Sequence, residues 1–322
     1  MSNVFIGKLK SGITEKIKHI LKDIDNQIII LDFSNEYEDI TKETFLLDDI
    51  NLFESQLNYT EMKAINAGYL GDNAHCFYQQ SEDLIFETDE YKRLKEKYNG
   101  DRDNDGFKEE FAQIRTSNLI DDTLTRMLVG HNKVRTAYAK ELNEIIPKKR
   151  SKNHISLETA IAEKIINKRI IRLQYKTIQS EHQRAVAYCL LTRLSHMTNK
   201  KIHVVADEIP RFFNDGNTKL FLSALNLDNI EFIYAFNKPS IVPKAIIPTL
   251  DVVRFYKLDV KFEINKMKEI FSFEEGDDIA DSVKKLKKGQ CRTYVRNHSN
   301  ALAFVKTENE KKEKGEEYAN QY

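Results

Sequence analysis

Two kinds of apolar pattern alternate along this chain. Short continuous runs occupy residues 3–6 and 27–31, the second of which is β-branched and ends at Asp32. Between them lie a glycine-bearing turn at residues 7–12 and a stretch in which apolar residues recur every three or four positions. Continuous runs are typical of strands buried on both faces, and the three-to-four spacing is typical of amphipathic helices. The order strand, turn, helix, buried strand predicts the start of a parallel α/β fold.

The middle of the chain has a different pattern. Charged residues dominate residues 84–165 and apolar residues recur there at helical spacing, which predicts a mostly helical insertion. The α/β pattern then returns, with helices predicted at residues 181–195 and 221–227. The strands predicted after the insertion lie at residues 169–175, 201–207, 231–236, 252–258 and 290–295. We therefore expect a core of residues 1–83 and 166–305, an insertion of residues 84–165, and a disordered polar tail of residues 306–322.

The composition excludes several classes of protein. Lys and Arg number 50, Asp and Glu number 50, and the formal net charge of the 322 residues is zero. This balance argues against a polybasic nucleic-acid coat and against an acidic disordered chain. Cys76, Cys189 and Cys291 lack the spacing of metal ligands and do not form a disulfide framework. No apolar run reaches the length of a membrane span and the N-terminus lacks a signal-peptide layout, so we expect a cytoplasmic protein without a membrane partner.

Two acids follow a buried strand in the second half of the chain. The apolar residues 204–206 lead directly into Asp207 and Glu208. In open α/β sheets, ligands bind at the carboxyl ends of the strands. An Asp at that edge can hold Mg²⁺, and an adjacent Glu can polarise a water for attack on a phosphate. The alternative is that the two acids only open a loop or cap the next helix.

The glycine-bearing turn is the second candidate element. Its sequence, GKLKSGIT at residues 7–14, matches the phosphate-binding pattern G-x-x-x-x-G-K-[ST] at Gly7, Gly12 and Thr14. Ile13 stands where the pattern has Lys, although backbone N–H groups and the helix dipole could still hold a phosphate. Three nearby lysines could supply the missing charge: Lys8, which directly follows the first glycine, Lys10 and Lys16. The alternative is a glycine turn with a structural role only.

Five segments together resemble the HerA/FtsK superfamily of hexameric, RecA-like DNA-pumping ATPases, and most of all its HerA and conjugation-ATPase branch. They occur in the family's order and cover most of the chain. They are the turn at residues 7–14, a strand with D-x-x-x-E-Y at residues 28–37, a strand, long helix and Walker B unit at residues 170–213, a strand with a polar sensor and Pro at residues 232–242, and an L-x-x-G-x turn at residues 286–290. The resemblance implies a RecA-like P-loop NTPase core with a largely parallel central sheet.

The resemblance also implies a role for each matching residue. Asp207 and Thr14 would bind Mg²⁺. Glu208 would be the catalytic base, and Asn237 would sense the γ-phosphate. The loop residues that would bind ATP are Gly7, Lys8, Ser11, Gly12 and Thr14. ATP and Mg²⁺ are therefore the cofactors that the resemblance implies.

The function implied is an ATPase-family subunit that forms a homo-oligomeric ring, such as a hexamer, and acts on DNA as a translocase or processing motor. Two departures from the family predict weak or atypical hydrolysis. One is Ile13. The other is that residues 215–230 offer only Lys219 where the family has a basic residue usable as an arginine finger, for which Arg211 and Arg254 are conceivable replacements. Two alternatives stay open: a catalytically degenerate scaffold or regulatory subunit that partners a nuclease or other effector in a mobile-element or defence system, and an α/β protein without a nucleotide.

Two other motifs fit more than one interpretation. Asp101, Asp103 and Asp105 match the first half of a calcium loop, D-x-D-x-D-G, but the twelfth position, which should be a bidentate Glu, is Ala112. A polar turn between two helices has the same composition. The basic residues 148–152 and 284–288 are candidates for local contact with DNA, and solvated loops would have the same composition.

Overall fold

The structure is a computed structural model that describes residues 2–8, 10–52, 55–70, 85–129, 155–174, 181–207, 212–213, 215–273, 279–297 and 301–305. The chain divides into two compact units that interleave along the sequence. The first unit comprises residues 1–42, 202–210 and 231–322, and the second comprises residues 43–201 and 211–230. The sequence-based boundaries after residues 83, 165 and 305 stay predictions, and the tail of residues 306–322 lies outside the described residues.

The described residues form nine strands and nine helices. The strands are β1 Ser2–Ile6, β2 Gln27–Leu31, β3 Thr44–Leu46, β4 Ile170–Gln174, β5 Ile202–Ala206, β6 Ile230–Phe236, β7 Leu250–Phe255, β8 Arg292–Arg296 and β9 Leu302–Val305. The helices are α1 Ile13–Leu21, α2 Tyr59–Leu70, α3 Asp89–Lys97, α4 Asp105–Val129, α5 Leu157–Thr159, α6 Glu181–Met197, α7 Asp215–Leu222, α8 Lys261–Ile270 and α9 Ile279–Lys285. A π-helical turn, Ala160–Ile165, continues α5, and 3₁₀ turns occupy Leu47–Asp49, Pro239–Ile241 and Lys244–Thr249.

The first unit is built on a largely parallel sheet. Its described strands lie in the order β2-β5-β6-β1-β7-β8-β9. β2 runs parallel to β5, and β1 runs parallel to both β6 and β7, whereas β8 is antiparallel to β7 and to β9. The apolar side chains of residues 4–6 and 28–31 are fully buried, as expected for strands covered on both faces. This sheet confirms the predicted α/β class with a largely parallel sheet.

The predicted strand positions are confirmed, whereas the helix predicted at residues 221–227 is wrong. α7 begins at Asp215 and ends at Leu222. The chain turns there because Ser223 Oγ donates to the Leu220 carbonyl at 2.7 Å, and the Asn226 side chain accepts from the Asp228 N–H at 3.3 Å. Short polar side chains that bond to nearby backbone in this way favour turns over helix.

The second unit holds the parallel pair β3–β4 and a closely packed pair of helices, α2 and α6. The helices approach at Gly68, where an added Cβ would lie 2.5 Å from Ala185 Cα. On α6, Arg193 binds both carboxylate oxygens of the buried Glu61, at 2.6 Å each, and also bonds to Glu158 and to the Gln56 carbonyl. This cation therefore ties three separate segments of the unit together.

The predicted insertion is helical where the structure describes it. α3 and α4 form a hairpin whose buried cluster contains Tyr91, Leu94 and Phe107. Thr88 caps α3, because its Oγ1 accepts from the Tyr91 N–H at 3.2 Å. Among the described helices, none is both long and apolar enough to cross a membrane.

Candidate functional site

Four polar or glycine positions meet at one edge of the sheet in the first unit. Leu31 pairs with Ala206 and Ile6 pairs with Phe236, so the residues that follow these strand ends lie along the same carboxyl edge. Those residues are Asp32 after β2, Asp207 after β5, Asn237 after β6 and Gly7 after β1. The carboxyl ends of parallel strands are where such sheets bind ligands. The site therefore contains the predicted residues Gly7, Asp207 and Asn237.

The Thr14 hydroxyl is the point at which this edge meets α1. Its Oγ1 lies 3.0 Å from Glu36 Oε2 and 3.1 Å from Asp207 Oδ2. A hydroxyl has a single proton and can donate to only one of these carboxylates at a time. Three oxygen atoms from three different segments therefore converge around one position, as the prediction that Thr14 and Asp207 act together requires.

The D-x-x-x-E-Y segment builds the other side of the site. Asp32 Oδ1 accepts from the Glu36 N–H at 3.0 Å and Oδ2 accepts from the Tyr37 N–H at 3.3 Å, which fixes the turn after β2. The Tyr37 hydroxyl then donates to Asp207 Oδ2 at 2.7 Å. Burial, and after it the charge of Asp207, raise the pKa of Tyr37, so the phenol stays protonated and donates. The sequence analysis gave Glu36 and Tyr37 no role, although their motif was visible.

Both glycines of the turn are required by its geometry. An added Cβ at Gly7 would collide with Cβ of Tyr256, and the Gly7 N–H donates to the Phe236 carbonyl at 3.1 Å. Gly12, at the N-terminus of α1, has φ = 96°, a left-handed conformation that favours glycine. The match to a phosphate-binding pattern thus coincides with a real steric need at both positions.

The L-x-x-G-x turn closes on this loop. The Gly289 N–H donates to the Ser11 carbonyl at 2.9 Å, and an added Cβ at Gly12 would lie 3.3 Å from Gly289 Cα. Sequence analysis recognised this turn only as a motif, because residues 289 and 11 are far apart in sequence. The contact braces the loop from the side of the chain's last strands.

Several polar groups at the loop face inward without partners. Gly12 cannot cap α1 with a side chain, so the first N–H groups of α1 have no side-chain acceptor at the cap. Ser11 is 6% exposed, and its Oγ has no hydrogen-bond partner in the described part of the chain; the same is true of Asn237 Oδ1. Unpaired buried polar groups cost free energy and are typical of ligand sites. A hydroxyl and N–H groups at a helix N-terminus are suitable donors for a phosphate.

The first candidate to replace the missing lysine is paired with another carboxylate in this structure. Ile13 is 9% exposed and belongs to the core. The Lys8 ammonium lies 2.7 Å from Asp259 Oδ2, and this hydrogen bond from Lys8 holds the pKa of Asp259 below its usual range. Lys8 is therefore committed to another carboxylate in this structure. Lys10, the second candidate, has a left-handed backbone conformation and an exposed side chain.

One of the two conceivable arginine fingers lies away from the carboxyl edge. Arg254 donates to Asn3 Oδ1 at 2.7 Å and stacks over Phe5 at 5.1 Å, on the body of the sheet and not at its carboxyl edge. The structure therefore gives no support to Arg254 as an arginine finger within its own site. Glu208 and Arg211 fall outside the described residues, as do residues 148–152.

The structure supports a Mg²⁺ site at the sheet edge better than a Ca²⁺ site at residues 101–105. The oxygens of Thr14, Glu36 and Asp207 are of the kind that Mg²⁺ prefers. By contrast, the Asp101 side chain accepts from the Asp103 N–H at 3.0 Å and Asn104 caps α4, so the calcium-like motif forms a turn and a cap. The described residues contain no group of three or more His, Cys, Asp or Glu arranged to hold a metal ion. A metal at the sheet edge would thus need the Thr14 oxygen or a ligand's own oxygens.

Comparisons with known proteins identify the fold. No protein-family model and no curated protein matches the sequence. The chain is similar to the solved structure of VirB4 of Thermoanaerobacter pseudethanolicus, with 11% identity, a TM-score of 0.55, and coverage of 95% of this chain and 89% of that one. It is also similar to the bacterial conjugative coupling protein TrwBdeltaN70, with 8% identity, a TM-score of 0.50, and coverage of 94% and 84%.

A third similar structure is the genome packaging NTPase B204 from Sulfolobus turreted icosahedral virus 2 in complex with AMP, with 12% identity and a TM-score of 0.48 over 95% and 96% of the two chains. At these identities the likeness concerns the fold. VirB4 and TrwB have the RecA-like P-loop ATPase fold, which confirms the fold implied by the resemblance to the HerA/FtsK superfamily.

Proposed function

We propose that this chain, which has the fold of RecA-like P-loop ATPases, is an ATP- and Mg²⁺-binding subunit of HerA/FtsK type. It works as a homo-oligomeric ring on DNA and hydrolyses ATP slowly. One observation supports the nucleotide site above all: the Thr14 hydroxyl lies within 3.1 Å of both Glu36 and Asp207, at the N-terminus of α1. The fold shared with a conjugative coupling protein supports the DNA-handling role.

Each residue of the loop has a defined task in this proposal. The N–H groups at the start of α1 and the Ser11 hydroxyl bind phosphate oxygens, and the glycines let the backbone approach them. Thr14 and Asp207 hold Mg²⁺, which when bound neutralises phosphate charge. Tyr37 orients Asp207 through its 2.7 Å hydrogen bond.

Two further residues act at the γ-phosphate. Asn237, whose Oδ1 is buried without a partner among the described residues, senses the γ-phosphate. Glu208, which follows Asp207 directly in sequence, accepts a proton from the attacking water.

The negative charge of the site predicts that it binds a nucleotide with Mg²⁺ more tightly than a nucleotide alone. Glu36 and Asp207 meet at Thr14, and the motif position that normally supplies a cation is the buried Ile13. Carboxylates repel a triphosphate unless a metal ion neutralises them, so nucleotide affinity should depend strongly on Mg²⁺. Slow turnover follows because the lysine that stabilises charge at the β/γ-phosphates is missing.

Equilibrium binding of a fluorescent ATP analogue tests the proposal. We expect binding with Mg²⁺, and about tenfold or greater weakening both without Mg²⁺ and in Thr14→Val, which removes only the hydroxyl. Thr116→Val on α4 is the matched control, because among the described residues the Thr116 Oγ1 bonds only to the Ala112 carbonyl, at 2.8 Å, and this variant should bind the analogue normally. Equal affinity of wild type and Thr14→Val would contradict the proposal.

A second candidate function is a scaffold or regulatory subunit that binds a nucleotide without turnover and partners a nuclease or another effector. Two observations favour it: Ile13 lies in the core, and Lys8 is paired with Asp259. Phosphate release separates the two candidates. Release that Glu208→Gln abolishes supports the motor, whereas tight binding with no release above background supports the scaffold.

A further inference from the structure

A cavity of about 390 Å³ lies on the α3–α4 hairpin of the second unit. Aromatic rings form its walls. The Phe111 ring is stacked with both Phe86 and Phe107, with centroids 5.9 Å apart in each pair, and Tyr91 meets Phe111 edge-on at 5.5 Å. Phe86 is 46% exposed although it is large and apolar. The mouth of the cavity thus presents a flat aromatic face to solvent.

The charged side chains around the cavity are all cations. Arg102, Lys108 and Arg115 line it, and no Asp or Glu is among the described residues that do so. The acids beside Lys108 and Arg102 are exposed and compete only weakly: Asp105 lies 3.5 Å from Lys108, and Asp101 and Asp103 flank Arg102 in an exposed loop. The Arg115 guanidinium is already oriented, because it stacks on the Tyr59 ring at 4.2 Å.

A buried polar group in the cavity wall is also left without a partner. The Tyr91 ring lines the cavity, and its hydroxyl is buried with no hydrogen-bond partner in the described part of the chain. Tyrosine hydroxyls normally find a partner when they are buried. The half-exposed Phe86 ring packs against the Tyr91 ring edge-on at 5.0 Å.

We propose that this cavity binds a base of single-stranded DNA, with the neighbouring phosphates on the cationic rim. Stacked aromatic rings bind bases of any sequence, and cations track the strand's backbone. A strand fits better than a free nucleotide because it offers successive phosphates to Lys108 and Arg115, which are seven residues apart on α4, about 10 Å along its axis. The proposal does not rest on the nucleotide site, which lies in the other unit.

The absence of tryptophan from the sequence allows a local reporter. Phe86→Trp places a single indole at the cavity mouth, where a stacked base should quench its fluorescence. We expect quenching by a short oligothymidylate, and none by an abasic oligonucleotide of the same length, thymidine monophosphate at the same concentration, or oligoglutamate. Adding Phe111→Ala to the reporter variant should weaken the quenching affinity about tenfold.

Matched charge variants complete the test, with fluorescence anisotropy of a labelled oligothymidylate as the second measurement. Lys108→Ala should weaken binding severalfold. Lys97→Ala removes an exposed lysine of the same hairpin that pairs with Glu110 and does not line the cavity, and should leave the affinity unchanged. The proposal would be overturned if the indole stayed unquenched at a saturating concentration of oligothymidylate. It would also be overturned if the abasic strand or oligoglutamate quenched the indole equally, or if the mononucleotide alone saturated the quenching.

Discussion

Tyr37→Phe is the most informative single change in the first unit. It removes one oxygen, the phenolic hydroxyl that donates to Asp207 Oδ2 at 2.7 Å. The Tyr37 ring is 1% exposed and is retained in full, so the apolar packing and the contact of Lys18 above the ring at 5.8 Å are unchanged. The variant therefore isolates one hydrogen bond that holds the acid after β5.

The size of the effect follows from the partners of that bond. A hydrogen bond to a charged group contributes about 1.5–3 kcal/mol to stability. Asp207 is itself buried and loses one of its donors, while the Thr14 hydroxyl stays 3.1 Å away. We therefore expect the free energy of unfolding to fall by about 1.5–3 kcal/mol near neutral pH.

The pH dependence gives the effect a second signature. Burial and the charge of Asp207 raise the pKa of Tyr37 above the ordinary value of 10.0. A group with a raised pKa contributes stability that is complete below its unfolded pKa and is lost as pH rises. The stability difference between wild type and Tyr37→Phe should thus be constant below about pH 10 and narrow above it.

Urea unfolding, followed by circular dichroism at several pH values, measures both signatures. Tyr91→Phe is the matched control. It also removes a buried phenolic oxygen, but the Tyr91 hydroxyl has no hydrogen-bond partner among the described residues. Its stability should be unchanged or slightly higher than that of wild type. If the two variants unfold alike, or if Tyr37→Phe shows no loss at neutral pH, the role given to the Tyr37 hydroxyl is wrong.

Two further predictions concern the second unit. Gly68→Ala should destabilise it by about 1–3 kcal/mol in urea unfolding despite the better helix propensity of alanine, because its Cβ would meet Ala185 at 2.5 Å. Arg193→Ala should lower the free energy of unfolding by about 3–5 kcal/mol, because Glu61 would stay buried without its cation. Burial favours a higher pKa for Glu158, but the hydrogen bond from Arg193 outweighs burial and holds this pKa below the ordinary 4.5. Ionised Glu158 therefore contributes stability that is present above about pH 4.5 and is lost on acidification. In Glu158→Gln the free energy of unfolding should therefore depend less steeply on pH in acid.

The parts of the fold that could be predicted from the sequence are those with a local cause. Continuous apolar runs bounded by glycine or acids predicted strands, the rule for carboxyl edges placed Asp207 at the edge of the sheet, and the family resemblance paired it with Thr14. The helix predicted at residues 221–227 failed because a local feature was overlooked: Ser223, Asn226 and Asp228 are polar residues that favour turns, and the segment after Leu222 forms turns. Asn237 was placed at the edge by the sensor motif alone.

The parts that could not be predicted depend on contacts between distant residues. The Lys8–Asp259 ion pair joins residues 251 positions apart. No local pattern in the sequence signals that Lys8, the first candidate to replace the lysine missing at Ile13, has this partner. The bond from Tyr37 to Asp207 spans 170 positions, so the tyrosine of the motif had no visible partner. Arg193 likewise binds residues from two distant segments, 56–61 and Glu158, which sequence alone does not bring together.

Residue-resolved hydrogen exchange with and without Mg²⁺-ATP tests most directly the claim that this edge binds a nucleotide phosphate. The N–H groups at the start of α1 have no side-chain acceptor at the cap, so they should exchange rapidly in the free protein. With Mg²⁺-ATP we predict slower exchange at residues 12–15, and a smaller change in Thr14→Val at a Mg²⁺-ATP concentration that just saturates the wild type. Unchanged exchange at residues 12–15 under saturating Mg²⁺-ATP, or protection confined to other segments, would contradict the nucleotide site.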